Sequence, residues 1–62
     1  MRLRVNDPAY TDRLAAFFES VGKRPLVGGP GELEIDAEPV ELEVYLRVWR
    51  VLYPDAEVEL RP

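Results

Sequence analysis

The stretch that decides the fold of this chain is "PVELEVYLRVWRVLYP", residues 39–54. Six of its apolar residues form one continuous stripe on a helical projection: Leu42, Tyr45, Leu46, Trp49, Leu52 and Tyr53. This spacing predicts an amphipathic helix whose apolar side covers a sheet. The acidic residues Glu38, Glu41 and Glu43 suit its start, because negative charge is favourable near the positive end of the helix dipole.

A strand interpretation of part of this stretch stays open. Residues 32–36, "ELEID", and residues 40–44, "VELEV", could pair as neighbouring strands across a turn at residues 37–39. Valine also favours strands over helices. We favour the helix, because the apolar stripe keeps its 3.6-residue period as far as Tyr53.

Four valines on the opposite side of the predicted helix are the candidate interface residues. They lie four, four and three positions apart: Val40, Val44, Val48 and Val51. A helix that packs on a sheet with one face leaves a second stripe in water, and burying one valine contributes about 1.5–3 kcal/mol. The stripe, with Arg47 and Arg50 on one flank, therefore predicts a protein partner, most simply a second copy around a two-fold axis. Exposed valines are also ordinary on monomers, which is the alternative.

The segment before this region predicts a strand and another amphipathic helix. Residues 1–5, "MRLRV", alternate between apolar and charged side chains, as in a half-buried strand. In residues 6–22, Asp7 or Thr11 can cap a helix and Gly22 suits its exit. The apolar stripe of this helix has i, i+3, i+4 and i+7 spacing: Leu14, Phe17, Phe18 and Val21.

Three further strands complete the pattern. An apolar pair at residues 26–27, a turn at residues 28–31 and alternating residues 32–36 predict a hairpin. Pro25 places the first hairpin strand at a sheet edge, because proline cannot donate a hydrogen bond to a central ladder. Residues 56–60 alternate again and predict the last strand.

The resulting order, βαββαβ, is that of the ferredoxin-like fold. We predict one α+β domain over residues 1–62, with a four-stranded antiparallel sheet of order 4-1-3-2 and two helices on one face. Charge supports this order, because the outward Arg2 and Arg4 would be flanked by acidic residues of both neighbouring strands: Glu32, Glu34, Glu57 and Glu59. Each pair of opposite charges across two strands contributes about 0.2–1 kcal/mol.

Composition narrows the function classes. A chain of 62 residues buries only about 60% of its unfolded surface, and without cysteine it has no disulfide to compensate. A net charge of −4 disfavours nucleic acids and anionic lipids as partners. No apolar run approaches the roughly 18 residues of a membrane span. Residues 1–10 do not resemble a secretion signal, so we expect a cytoplasmic protein.

Catalytic residue types are scarce. Histidine and cysteine are absent, and Ser20, Thr11 and Lys23 are single examples of their kinds. This excludes most arrangements of nucleophile and general base. Ser20 falls on the polar side of the first helix, where we expect a solvated hydroxyl.

The acidic residues and the glycines do not form a recognisable site either. The carboxylates are densest at four positions: Asp36, Glu38, Glu41 and Glu43. A pair of them could act as the acid and base of a hydrolase or bind calcium, but their spacing fits no calcium-binding loop. We expect them to be solvated residues that stabilise the start of a helix. The "GGPG" at residues 28–31 lacks the lysine and the following helix of a phosphate loop. The outward positions of the central strands carry no aromatic residue for stacking RNA bases. We predict no enzyme, no cofactor and no metal.

One segment resembles a known family. Residues 5–22 are similar to the first strand and helix of ACT domains, βαββαβ modules that bind amino acids at dimer interfaces, on these positions: Val5, Asn6, Asp7, Pro8, Leu14, Phe18 and Gly22. Ala9 stands where the family usually has glycine. The resemblance implies a ligand loop that includes Asn6 and Asp7.

Two functions are therefore expected from the sequence. The first is a non-enzymatic module for protein interaction or self-association, as a homodimer or with another protein, through the four valines. The alternative is an ACT-like domain that senses an amino acid.

Overall fold

Residues 1–61 form two α-helices and a four-stranded antiparallel sheet, as predicted. The computed structural model describes residues 1–61; Pro62, the last residue of the predicted domain, lies outside them. The elements are β1 (Arg2–Val5), a 3-10 turn (Pro8–Tyr10), α1 (Thr11–Ser20), β2 (Leu26–Gly29), β3 (Glu32–Glu34), α2 (Pro39–Leu52) and β4 (Val58–Arg61). The helix interpretation of residues 39–52 is confirmed, and the alternative pairing of residues 40–44 as a strand is wrong.

The sheet places β1 and β3 in its centre. Counted from the β2 edge, the strand order is β2-β3-β1-β4, and all neighbours are antiparallel. The predicted order, 4-1-3-2, counts the same neighbours from the β4 edge. The edge position of β2, predicted from Pro25, is confirmed.

The charged face of the sheet follows the prediction in part. Three cross-strand pairs of opposite charge are in register: Arg2 with Glu34, Arg4 with Glu32, and Arg4 with Glu59. The expectation for Glu57 is wrong, because β4 begins at Val58, two residues later than predicted, and its register sets Arg61 opposite Arg2. Two like charges therefore meet where opposite charges were expected.

Both helices cover the other face of the sheet and enclose one core. Its residues are Leu3, Val5, Leu14, Phe18, Leu33, Ile35, Leu42, Leu46, Trp49, Ala56 and Val58. Trp49 has no exposed surface, and its indole N–H donates to the Ala56 carbonyl oxygen at 3.0 Å. This bond fastens α2 to the segment that leads into β4.

The predicted core position of Leu52 is wrong, since 57% of its surface is exposed. It lies about 90° around the helix from the centre of the buried face, at 100° per residue. Tyr53, the next residue, is half-buried and packs against the core. Leu52 therefore belongs to the outward side of α2.

Thr11 joins α1 to the turn between β2 and β3. Its hydroxyl donates to the Pro8 carbonyl oxygen at 2.7 Å and accepts from the Gly31 amide at 2.8 Å. Asp7 caps the 3-10 turn before α1, where its carboxylate accepts from the Ala9 amide at 3.0 Å. The prediction that Asp7 or Thr11 caps α1 itself is wrong, because Tyr10 stands at that position and its side chain makes no capping hydrogen bond. The turn predicted over residues 28–31 is shorter, because β2 continues to Gly29.

We expect Thr11→Val to lower the free energy of unfolding by about 1–3 kcal/mol, because the buried Gly31 amide would lose its acceptor. Thr11→Ser keeps the hydroxyl and is the matched control. Urea denaturation followed by circular dichroism measures both. A Thr11→Val domain as stable as the unmodified one, together with a destabilised Thr11→Ser domain, would show that the methyl group, and not the hydrogen bond, is important.

Candidate interaction surface

The outward side of α2 carries a row of exposed apolar side chains. The exposed fractions are Val40 74%, Val44 55%, Val48 50%, Val51 81% and Leu52 57%. These five residues are called the outer α2 face below. The buried residues of the same helix, Leu42, Leu46 and Trp49, lie on the side that packs on the core. One helix therefore presents an apolar surface to the core and another to solvent.

The outer α2 face extends along most of the molecule. Its residues lie within about 120° of the helix circumference, and a helix of 14 residues is about 21 Å long. The longest dimension of the domain is 24 Å. Contiguous apolar surface of this kind is typical of interaction sites on small proteins, whereas single exposed apolar residues are not.

Three charged residues lie on the side of α2 that faces β4, and of these Arg47 is adjacent to the outer α2 face. Glu43, Arg47 and Arg50 are all exposed. Within residues 1–61, the ion pairs join Lys23 to Glu41 and Arg61 to Glu59, so these three side chains have no ion-pair partner in that part of the chain. Their charges remain available to a second molecule.

On the other side of the outer α2 face, the one acidic residue already has an ion-pair partner. Glu41 lies there and pairs with Lys23, which follows α1 in the chain. The hydrogen bond from the Lys23 ammonium to the Glu41 carboxylate raises the pKa of Lys23, so the lysine stays charged. The negative charge of Glu41 is therefore already paired within the chain.

A shallow groove adjoins these three charged residues. It has a volume of about 380 Å³ between α2 and β4, and Arg47 and Arg50 form one wall. Glu43, Leu46, Val58 and Leu60 complete its lining. Glu43, Arg47 and Arg50 thus border the gap between α2 and β4.

Asn6 and Asp7, the residues of the expected ligand loop, have hydrogen-bond partners within the chain. The Asn6 side chain accepts from the Glu57 amide at 3.1 Å and donates to the Asp55 carbonyl oxygen at 3.4 Å. Asp7 caps the 3-10 turn. A polar groove of about 300 Å³ lies beside Asn6, with Arg4 and Arg61 on its wall. Asn6 thus links the end of β1 to the segment that leads into β4, whereas Asp7 stabilises its own turn.

The other candidate residues are not assembled into a site. Ser20 donates its hydroxyl to the Phe17 carbonyl oxygen at 2.6 Å. Asp36 and Glu38 are exposed, as is Glu43, whereas Glu41 pairs with Lys23. Among residues 1–61, no group of three His, Cys, Asp or Glu side chains could hold a metal ion, and no helix is long and apolar enough to cross a membrane.

Sequence reasoning missed two exposed apolar features. Leu52 continues the outer α2 face, and the four-residue spacing from Val40 through Val44 and Val48 could have revealed it. On the β2 edge, Leu26 is 68% and Val27 56% exposed. The edge position of β2 was predictable, but the lack of cover over both of these side chains is a property of the tertiary structure.

Comparisons of this chain with known protein families, with curated proteins and with solved structures gave no match. Its function is therefore inferred from the fold and from the geometry of the outer α2 face.

Proposed function

We propose that this chain is a non-enzymatic protein-interaction module that associates through the outer α2 face, with a second copy of itself as the partner. The observation that carries the proposal is the row of five apolar side chains, each at least half exposed, on a helix that already buries its opposite side. Burying a valine side chain contributes about 1.5–3 kcal/mol. Several of them together offset a useful part of the entropy lost on association.

The available chemistry supports a binding role. The chain has no histidine and no cysteine, and Ser20 donates its hydroxyl to its own helix. The exposed apolar surface is concentrated on two elements, α2 and the β2 edge. The exposed apolar surface of α2 therefore supports binding to another protein rather than catalysis.

The proposal includes a ferredoxin-like architecture. The βαββαβ order and the central position of β1 and β3 support it. In this architecture the helices cover one face of the sheet and turn their outer sides to solvent. A dimer formed through α2 would therefore leave the charged sheet face, with Arg2 and Arg4, accessible.

We expect the double variant Val44→Glu, Val48→Glu to abolish association, because four carboxylates would face one another across the two-fold interface. Sedimentation velocity at micromolar to submillimolar concentration should show a dimer for the unmodified chain and a monomer for the variant. Both residues are exposed, so the variant should keep the circular dichroism spectrum of the unmodified domain.

Val27→Glu is the matched control, since Val27 is 56% and Val44 55% exposed. It should leave the dimer intact. An unmodified chain that sediments as a monomer at every concentration would contradict the proposed function. A dimer that the Val27 variant breaks and the α2 variant does not would move the interface to the β2 edge.

A further inference from the structure

The free edge of β4, beside the basic side of α2, indicates a second binding site that lies apart from the outer α2 face. We propose that β4 accepts an extended segment of a partner protein as a fifth, antiparallel strand of the sheet, with one carboxylate of the segment in contact with Arg50. Such strand addition obtains affinity from main-chain hydrogen bonds and specificity from alternate side chains. The inference goes beyond the proposed function and does not require self-association.

β4 is an edge strand, and within residues 1–61 its outer side has no partner strand. Just after β1, the Asn6 amide donates to the Glu57 carbonyl oxygen at 2.9 Å. Since the backbone groups of successive residues point alternately to the two sides of a strand, the amides and carbonyl groups of Val58 and Leu60 point away from β1. An antiparallel strand on this edge would exchange hydrogen bonds with both residues.

Two adjoining grooves beside β4 give an added strand room for its side chains. Their volumes are about 380 and 420 Å³, and Arg50 and Val58 line both. The side chains of Val58 and Leu60 point to the helix side of the sheet, as do the buried β1 residues opposite them. The residues of an added strand that bond to these two positions would point to the same side and therefore lie next to α2.

The α2 side of these grooves is basic, although the chain as a whole has a net charge of −4. Arg47 and Arg50 lie there with one acidic residue, Glu43. Neither arginine has an ion-pair partner within residues 1–61. Arg50 lines both grooves, whereas Glu43 lines only the groove of about 380 Å³. A partner side chain beside Val58 would therefore lie close to Arg50, which favours a carboxylate at this position.

The acidic residues in and before β4 belong to the other face of the sheet. Glu59 is in register with Arg4 and forms an ion pair with Arg61 at 3.5 Å. Glu57 and Glu59 alternate with Val58, so they point to the open face rather than to the helix side. The arginines of α2 therefore determine which charge an added strand should carry on the helix side.

The other edge of the sheet, β2, is a less regular template for an added strand. Its register with β3 shifts between Val27 and Gly29, as at a β-bulge, whereas the residues of β4 pair in unbroken sequence with β1. A bulge disrupts the even spacing of amides and carbonyl groups that an added strand needs. We therefore assign the added strand to β4.

Two synthetic peptides test the site on the full chain: acetyl-Thr-Val-Thr-Glu-Thr-Val-Thr-amide and the same peptide with lysine in place of glutamate. The valines and the central residue share one face of the extended peptide. We expect the glutamate peptide to shift the NMR signals of the Val58 and Leu60 amides and to bind about tenfold more tightly than the lysine peptide, because lysine reverses the charge next to Arg50. N-methylation of the glutamate amide removes one donor to β4 and should weaken binding about fivefold.

Charge reversal on the domain gives an independent readout. Arg50→Glu should reverse the preference, so that the lysine peptide binds more tightly. Arg24→Glu, the same change at an exposed residue before β2, is the matched control and should keep the preference for glutamate. Both replaced residues are exposed, so both variants should keep the circular dichroism spectrum of the unmodified domain.

Several results would overturn the proposal: equal binding of the glutamate and lysine peptides, unchanged binding after N-methylation, an Arg50→Glu domain that still prefers glutamate, or no shift of the two β4 amides at about 5 mM peptide. Signals that move only on the outer α2 face would do the same. The Val44→Glu, Val48→Glu domain should bind the glutamate peptide to within about threefold of the unmodified domain. A failure of self-association and a failure of this site are therefore observed separately.

Discussion

Trp49→Ala is expected to remove at least about a third of the free energy of unfolding of the domain. Removing a buried tryptophan costs about 3–5 kcal/mol, and at 0.05–0.15 kcal/mol per residue a domain of 62 residues has about 3–9 kcal/mol of stability. Trp49 has no exposed surface, and its ring lies 4.3 Å from that of Tyr53 and 5.6 Å from that of Phe17 between centroids. The cavity would lie between α1 and α2. Far-UV circular dichroism with urea denaturation measures the loss.

Two variants separate the contributions of Trp49. Trp49→Phe keeps most of the apolar surface but leaves the Ala56 carbonyl oxygen without its donor, so we expect a folded domain that is less stable than the unmodified one. Val51→Ala, at an 81% exposed position of the same helix, should have little effect on the stability of the monomer. A Trp49→Ala domain that unfolds at the same urea concentration as the unmodified one would contradict the central position of this side chain.

Gly31→Ala is the second change with a large expected effect. Gly31 has a φ of +76°, and an added Cβ would lie 3.0 Å from the Val5 carbonyl oxygen. The residue cannot easily move, because its amide donates to Thr11 and its carbonyl oxygen accepts from the Val5 amide at 2.8 Å. Left-handed conformation and overpacking together cost about 2–4 kcal/mol. Urea denaturation measures the change.

The other glycines supply controls for this prediction. Gly22 also has a positive φ, +86°, but an added Cβ would meet no atom within 4 Å, so Gly22→Ala should cost only about 1–2 kcal/mol. Gly28 has neither constraint, and Gly28→Ala should be neutral or stabilise β2 by up to about 1 kcal/mol. If alanine at the three positions had equal effects, the close approach of Gly31 to Val5 would have no energetic consequence.

Local patterns predicted most of the elements correctly. The apolar period located α1 and α2, Pro25 placed β2 at an edge, and Gly22 marked the end of α1. At that end the Lys23 amide donates to the Phe18 carbonyl oxygen at 3.0 Å, as in a Schellman cap. These features depend on residues that are close together in the chain, so they can be predicted from local sequence patterns.

The errors concern contacts between distant segments. Leu52 was assigned to the core because its spacing fits the stripe, yet no other element covers it. The register of β4, which sets Arg61 opposite Arg2, depends on where the chain leaves the Trp49–Ala56 contact. Neither effect follows from alternation within one strand or from one helix period.

By itself, the sequence determined the order of the elements and the apolar faces that each helix and strand carries, because side-chain direction repeats with the local backbone geometry. The second apolar row, on residues 40–51, was also visible in the sequence alone. Only the tertiary structure decided which apolar faces are covered: it buries Trp49, leaves Leu52 in solvent and links Thr11 to Gly31. Coverage depends on which distant elements pack together, and the free energy of that packing is shared among residues far apart in the chain.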